Sequence, residues 1–166
     1  MTWLGNVMSR DIKHILPPPD FSCDIIIQGK IYAQQRHRHT NTGHVYDPMA
    51  KEKSATIAQM QSQFHREKPI AQAVRVSAYC YFARPTSHFR SGKYSEELHK
   101  KAPLDHVSKP DIDNVLKYYL DCLVFAGILD DDRYVVDCHG HKSWNKNIST
   151  SRLEIKIATI QFKNPW

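Results

Sequence analysis

The sequence lacks the long apolar run that a membrane-spanning helix requires. No stretch approaches about 18 consecutive apolar residues. The opening segment, MTWLGNVMSRDIKHILPPPD, interrupts its apolar positions with Asn6, Arg10, Asp11 and Lys13, unlike the apolar core of a secretory signal. Six glycines are also too few for a fibrous chain. We therefore expect a cytoplasmic protein that does not enter a membrane.

Cysteine is scarce, and no two cysteines form a C-x-x-C pair. The four residues lie in apolar stretches, at Cys23, Cys80, Cys122 and Cys138. This pattern favours buried free thiols over a disulfide framework. The sequence CHGH begins at Cys138, but its spacing is too tight for an ordinary tetrahedral zinc site.

The charge balance is basic. The chain has 166 residues, which suits one domain, and its formal net charge is +6 before ten histidines are counted. Apolar residues make up 41% of the chain, enough for one hydrophobic core. A basic excess favours polyanionic partners such as nucleic acid.

Hydrophobic periodicity predicts strands separated by two helices. Alternating apolar residues predict strands in FSCDIIIQG, AQAVRVSAYCYFA and SRLEIKIATIQF. Helical spacing predicts one helix from Pro48 to about Glu67 and a second from Asp113 or Asn114 to Gly127. A turn in ILDDDRYVVDCHGHKSW leads into a further strand.

The remaining segments are polar and aperiodic. KIYAQQRHRHTNTGHVYDP predicts a loop or loose hairpin centred on Gly43, and residues 84–110 predict a long basic loop. The order of elements predicts an α+β fold with a small mixed β-sheet, two main helices on one face, and a hairpin at the end.

Acidic residues are concentrated at both ends of the second helix. Asp111 and Asp113 stand at its entry, within KPDIDNVLK, and Asp130, Asp131 and Asp132 follow its end. Each group alone is compatible with an ordinary helix cap or acidic turn. However, one cap needs one short polar residue, and three adjacent aspartates repel one another. A divalent cation would relieve that repulsion, and carboxylates are the hard ligands that Mg²⁺ prefers.

Lys117 lies about one turn inside the second helix. From there it can reach a phosphate held at the helix start, although it can also pair with Asp121 on the helix surface. A helix of about 13 residues spans about 20 Å. Asp111 and Asp132 therefore meet only if the strand that Asp132 enters runs back beside the helix start.

KPDIDNVLK shares features with two other acidic motifs but differs from both. An EF-hand loop needs an oxygen ligand at its fifth position and glycine at its sixth, where this chain has Val115 and Leu116. The D-x-D-x-[TV] motif of haloacid-dehalogenase-type phosphotransferases normally follows a buried strand, whereas LDHVSKP precedes the aspartates here. The EF-hand is excluded, and the phosphotransferase motif remains an alternative.

The stretch KPDIDNVLKYYLDCLVFAGILDDDRYVVD resembles the core signature of RusA-type Holliday junction resolvases, a family of small phage and prophage endodeoxyribonucleases. The shared pattern is [KR]-x-D-[LIV]-D-N-x-x-K, an apolar helix containing aspartate, D-D-x-x-[VI], and a lysine on the next strand. GKIYAQQRHRHTNTGHVYDP resembles the basic segment upstream of that core. We accordingly assign residues 1–20 to an N-terminal extension and 21–166 to a RusA-like endonuclease domain.

The resemblance implies a role for each matching residue. Asp111, Asp113 and Asp132 match the carboxylates that bind Mg²⁺, which Mn²⁺ can replace, and they count as catalytic together with Lys117. Asp132 corresponds to the second aspartate of an acidic pair; because this chain has three, Asp131 is an alternative. The matching strand lysine is Lys142, an expected phosphate contact.

The resemblance also implies partners. We expect DNA contacts from Arg36, Arg38, Lys109 and Lys142. The substrate is expected to be branched DNA, above all the four-way junction, which a homodimer cuts at two symmetric positions. Neither a membrane nor a small-molecule cofactor is expected, and the protein is expected to act on DNA in a bacterial cytoplasm, encoded by host or phage. A non-catalytic junction-binding module and a broader flap or branched-DNA nuclease are the alternatives.

Overall fold

The computed structural model describes residues 21–146 and 150–161. The main sheet contains strands β1 (Ser22–Gln28), β4 (Val74–Phe82), β5 (Val135–Trp144) and β6 (Arg152–Thr159). Strands β2 (Arg38–His39) and β3 (Val45–Tyr46) form a separate hairpin, and the helices are α1 (Ala50–Gln61) and α2 (Ile112–Phe125). The α+β prediction is confirmed. The predicted extension over residues 1–20 lies outside the described residues, and the domain boundary stays a prediction.

The sheet is mixed, as predicted, with the strand order β1-β6-β4-β5. Strand β5 pairs parallel to β4, whereas β6 pairs antiparallel to both β4 and β1. The predicted hairpin of the last two strands is therefore wrong. The α2 crossover places β5 on one side of β4, and β6 occupies the other side along nearly the whole of β4.

One face of the sheet carries the hydrophobic core. Every second residue of β4 is buried, beginning with Val74 and Val76, and α2 buries Val115, Tyr118, Tyr119, Cys122 and Leu123 against the same cluster. Full burial of one such side chain contributes about 1.5–3 kcal/mol. Both helices thus cover one face, as the sequence predicted. Within the described residues, no helix combines the length and apolar character needed to cross a membrane.

Helix α1 is shorter than the sequence predicted. It begins at Ala50 rather than Pro48 and ends at Gln61 rather than near Glu67. Just past this end, the Gln63 side chain pairs with the backbone of the neighbouring strand. The Ile26 N–H donates to Gln63 Oε1 at 2.9 Å, and Gln63 Nε2 donates to the Ile26 carbonyl at 2.8 Å. These bonds satisfy backbone groups on the outer edge of β1.

The cysteines are free, as predicted, but they are not all buried. Cys80 and Cys122 are buried and Cys23 is half-buried. Burial raises the pKa of the Cys80 thiol to about 12, which makes it unreactive. Cys138 is exposed because it lies on β5, the edge strand of the sheet.

The direction of α2 determines which residues can meet its first turn. Because β4 and β5 are parallel, the helix between them must run antiparallel to both. Its start therefore lies near the carboxyl ends of these strands. The end of α2 and the residues just before Val135 lie at the opposite edge.

Gly140 confirms this placement. A β-carbon built on Gly140 would lie 2.7 Å from Ile112 Cγ1, 2.8 Å from Ile112 Cδ1 and 3.1 Å from Leu116 Cδ1. The first turn of α2 thus packs directly on the β5 backbone, and only glycine leaves the room for it. Since Ile112 stands between Asp111 and Asp113, this contact sets the height of both aspartates above the sheet.

Replacement of Gly140 by alanine should destabilise the protein by about 1–3 kcal/mol, the usual cost of overpacking. Urea unfolding would measure the loss, and the same substitution in an Ile112→Ala background is the control. There the two closest atoms are absent and only the Leu116 contact at 3.1 Å remains, so the added methyl group should cost much less. Equal losses in both backgrounds would contradict the proposed contact.

Candidate active site

Helix α2 begins at Ile112, slightly before the predicted start at Asp113 or Asn114, so neither of these residues is its N-cap. Asp111 occupies the N-cap position, with φ −72° and ψ 142°, but its side chain makes no capping hydrogen bond. The helix starts instead on a backbone bond, in which the Val115 N–H donates to the Asp111 carbonyl at 3.1 Å. The Asp111 carboxylate remains available to a ligand.

Asp113 is similarly uncommitted. Both Asp111 and Asp113 are exposed, and the nearest donor to Asp113 Oδ1 is the Asn114 amide at 3.5 Å, longer than an ordinary hydrogen bond. The positive end of the helix dipole favours negative charge at this place. Two carboxylates therefore stand at the helix start without bonding to the helix backbone.

Lys117 is exposed and follows Asp113 by four residues, on the same side of α2. No hydrogen bond or ion pair joins its ammonium group to another described residue. The alternative partner, Asp121, pairs instead with Lys53 of α1, at 3.2 Å. The alternative role of Lys117, an ion pair with Asp121 on the helix surface, is therefore absent from the described part of the chain.

Lys53 connects the hairpin region to α2. It is only 8% exposed, and its ammonium lies 3.0 Å from Asp47 Oδ2 and 3.2 Å from Asp121 Oδ2. Burial alone would lower the pKa of Lys53, but hydrogen bonds to the two carboxylates raise it above the ordinary lysine value. A charged lysine with two partners at this depth fixes the end of the hairpin against the helix.

A cleft of about 740 Å³ opens beside Asp111. Its walls are the segment after β1, one turn of α1 and the start of α2; the polar residues among them are Lys30, Gln34, Gln35, Glu52, Lys109, Asp111 and Asn114. The Gln34 N–H donates to the Asn114 carbonyl at 2.8 Å, which fastens the outer wall to α2. Sequence reasoning missed Lys30 and Gln34, whose only signal was that they lie in the polar segment that follows the strand-ending Gly29.

Gln34 has a second relevant property. Its amide oxygen is buried without a hydrogen-bond partner among the described residues. A buried acceptor without a partner is unfavourable unless water or a ligand satisfies it. The cleft wall thus offers an acceptor close to the helix start.

The basic hairpin lies next to this cleft along the chain. Gln35 lines the cleft, and Arg36 and Arg38 follow it, both exposed and unpaired within the described residues. Arg38 opens β2, opposite Tyr46 of β3. Gly43, with φ +80°, forms the turn. The predicted loose hairpin centred on Gly43 is confirmed, and its two unpaired guanidinium groups follow closely after Gln35 of the cleft wall.

The acidic run after α2 lies elsewhere. Asp131 caps the short 3₁₀ helix Asp132–Tyr134, because its side chain accepts from the Arg133 N–H at 2.9 Å. Asp132 is exposed, and its carboxylate makes no hydrogen bond or ion pair with another described residue. This difference favours Asp132 over Asp131 as the available carboxylate.

Asp132 does not lie beside Asp111 and Asp113 within one chain. The part of β5 that packs on Ile112 is Gly140, and five strand residues put about 16 Å between Gly140 and Val135. Asp132 lies beyond Val135. Within residues 21–146 and 150–161, no group of three or more histidine, cysteine, aspartate or glutamate side chains is placed to hold a metal ion.

Lys142 reaches the helix start from the sheet. Its ammonium donates to the Ser108 carbonyl and to the Pro110 carbonyl, each at 2.7 Å. These carbonyls flank Lys109, which is exposed on the rim of the cleft. Two of the three lysine donors are therefore used by the loop that leads into Asp111.

The long loop between β4 and α2 is anchored at several points. Arg84 is 6% exposed and donates to the carbonyls of Asn145 and Pro103, at 2.7 and 2.8 Å. His106 stacks on Phe82, with ring centroids 3.9 Å apart. The basic loop of residues 84–110 is thus held against the sheet. It lines a second cavity of about 870 Å³, whose walls include Lys100 and Lys101.

Comparison with known proteins adds an assignment to this geometry. The family model described as endodeoxyribonuclease RusA matches residues 28–158. No curated protein matches the chain significantly. The match includes the cleft, the basic hairpin, α2 and the acidic run, and so contains every described residue assigned above to catalysis or DNA binding. The chain belongs to the RusA endodeoxyribonuclease family.

Proposed function

We propose that this protein is a Mg²⁺-dependent endonuclease that resolves four-way DNA junctions by paired phosphodiester hydrolysis, as a homodimer acting in the cytoplasm. Family membership supports the nuclease class. The observation that carries the finer proposal is the start of α2, where Asp111 and Asp113 are exposed and uncapped and Lys117 is unpaired. If this helix start had only a structural role, we would expect its aspartates to cap the helix and Lys117 to form an ion pair.

The residues at the helix start suit a hard divalent cation. Mg²⁺ is commonly held by one or two carboxylates, with water and substrate phosphate as its remaining ligands. Asp111 and Asp113 supply two such groups, and Mn²⁺ accepts the same oxygen ligands. When bound, the ion would polarise the scissile phosphate and lower the pKa of a coordinated water.

The chain's own groups would then orient the substrate. Lys117 would stabilise the negative charge that develops on the scissile phosphate. Lys30 and Lys109, on the cleft walls, would hold the strand on either side. Arg36 and Arg38 would extend this contact along the backbone, which gives affinity without sequence information.

A homodimer suits both the substrate and the separated carboxylates. A four-way junction has two equivalent strands to cut, and a two-fold dimer presents two equivalent sites. Asp132 stands at the opposite end of α2 from Asp111. In the dimer, Asp132 of the second copy would therefore join Asp111 and Asp113 of the first as the third carboxylate of the site.

The substrate class is tested by comparing a four-way junction, a 5′ flap and linear duplex of matched sequence, with and without Mg²⁺. We expect the junction to be cut at least about tenfold faster than the flap, a preference of about 1.4 kcal/mol, with paired nicks on opposing strands. Similar rates on junction and flap would favour the broader branched-DNA nuclease. Junction binding without any product, in Mg²⁺ or Mn²⁺, would favour the non-catalytic binding module.

A further inference from the structure

We infer that Lys142 is a positioning residue that holds the loop leading into Asp111, rather than a lysine that contacts DNA phosphate; this inference rests on the proposed function. The sequence predicted a phosphate contact because a lysine follows the acidic run on the next strand. The structure places its ammonium group on the protein's own backbone instead.

The bonds of Lys142 bracket the residue before the proline. Ser108 and Pro110 each present a carbonyl to the ammonium at 2.7 Å, a distance typical of short charge-assisted hydrogen bonds. Asp111 follows Pro110 directly. A shift of these two carbonyls therefore moves the Asp111 backbone and carboxylate with them.

Strand β5, which carries Lys142, holds the loop before Asp111 in place through further contacts. The backbone carbonyl of Lys142 accepts from the His106 N–H at 3.3 Å, and the Trp144 N–H donates to the Leu104 carbonyl at 2.8 Å. Two residues earlier, Gly140 packs on Ile112. Strand β5 thus holds the loop before Asp111 from one side and the first helical residue after it from the other.

The same geometry argues against a phosphate contact. Two of the three ammonium donors are directed at Ser108 and Pro110, so a phosphate would have to share the third or displace a short bond. Lys109, between those carbonyls, is exposed and has no partner among the described residues. Of Lys109 and Lys142, the two lysines next to Pro110, Lys109 is therefore the one whose ammonium is free to meet DNA.

The test compares Lys142→Met with Lys109→Gln and wild type on a four-way junction. Misplacement of a reacting group by about 1 Å can cost on the order of 100-fold in rate. We therefore expect Lys142→Met to lower kcat by about 10- to 100-fold and to raise the Mg²⁺ concentration needed for half-maximal cleavage, with little change in junction Kd. Lys142→Arg, which keeps the charge and donors, should recover part of kcat.

Two measurements do not depend on cleavage. The salt dependence of junction binding in Ca²⁺ should be unchanged by Lys142→Met, whereas Lys109→Gln should reduce its slope by about 0.9. Hydrogen exchange of the peptide over residues 104–112 should accelerate in Lys142→Met, while the thermal midpoint shows that the variant remains folded.

The outcomes separate this inference from the proposed function. If wild type cuts no substrate, the proposed function fails. If wild type cuts but Lys142→Met cuts equally well, or loses salt-dependent binding as Lys109→Gln does, Lys142 is not a positioning residue. Loss of kcat with an unchanged salt slope and faster exchange supports the inference.

Discussion

Replacement of Asp113 by asparagine should abolish cleavage of a four-way junction while junction binding survives. The amide keeps the shape of the side chain but removes the negative charge that a divalent cation needs. A bound metal supplies several kcal/mol of transition-state stabilisation, and about 4 kcal/mol corresponds to on the order of 1,000-fold in rate. Binding should be equal or slightly tighter, because one negative charge near the DNA is lost. Single-turnover cleavage and gel-shift assays at one salt concentration measure the two quantities.

The matched control is Asp24→Asn. Asp24 is also an exposed aspartate, but it lies on β1 and its nearest cation is Lys156, at 3.9 Å. The control should cleave at the wild-type rate. If Asp113→Asn also cleaved at that rate, the assignment of the helix-start carboxylates to a metal site would be wrong, whatever the family membership implies.

Mixed dimers of Asp113→Asn and Asp132→Asn should regain nicking activity that neither variant has alone. If each site combines the helix-start carboxylates of one copy with the Asp132 of the other, both mutations of a mixed dimer fall in one site and leave the second intact. Random pairing makes half of the dimers mixed, so about a quarter of the wild-type sites should be functional. The product should be a nicked junction, since only one strand of each pair can be cut.

A second mixture distinguishes shared sites from other causes of rescue. Asp111→Asn and Asp113→Asn belong to the same half of the site, so their mixed dimers contain no intact combination and should remain inactive. Recovery in this control would mean that the subunits exchange something other than Asp132. No recovery in either mixture would mean that each chain builds its site alone or that the chain acts as a monomer.

Much of the fold was predictable from local patterns. Strand β4 was predicted from its alternation and the hairpin from the polar, aperiodic segment around Gly43, and each appears in the structure where it was predicted. The mixed sheet with helices on one face followed from the order of elements. The early end of α1 was not predicted; the bonds between Gln63 and Ile26 just beyond it join residues 37 apart in sequence, a contact that no local pattern contains.

The candidate site was predictable in its residue types but not in its arrangement. Spacing singled out Asp111, Asp113 and Lys117. Only the structure shows that the Asp111 side chain makes no capping bond and that Asp121 pairs with Lys53 instead of Lys117. The expected return of the acidic run to the helix start was not found within one chain, because β5 packs on α2 at Gly140 instead. Such outcomes depend on residues far apart in sequence, whose pairing periodicity cannot reveal.

The attachment of the loop before α2 to β5 also bears on solubility. Strand β5 is at the edge of the sheet, and an open edge is a template for pairing with other chains. The bridge between Asp105 and Ser143, with the neighbouring backbone bonds, covers the last residues of that edge. The loop that leads into Asp111 thus also covers the end of this edge, where another chain could otherwise pair with β5. We therefore expect substitutions that detach this loop from β5 to lower the yield of soluble protein as well as the rate of cleavage.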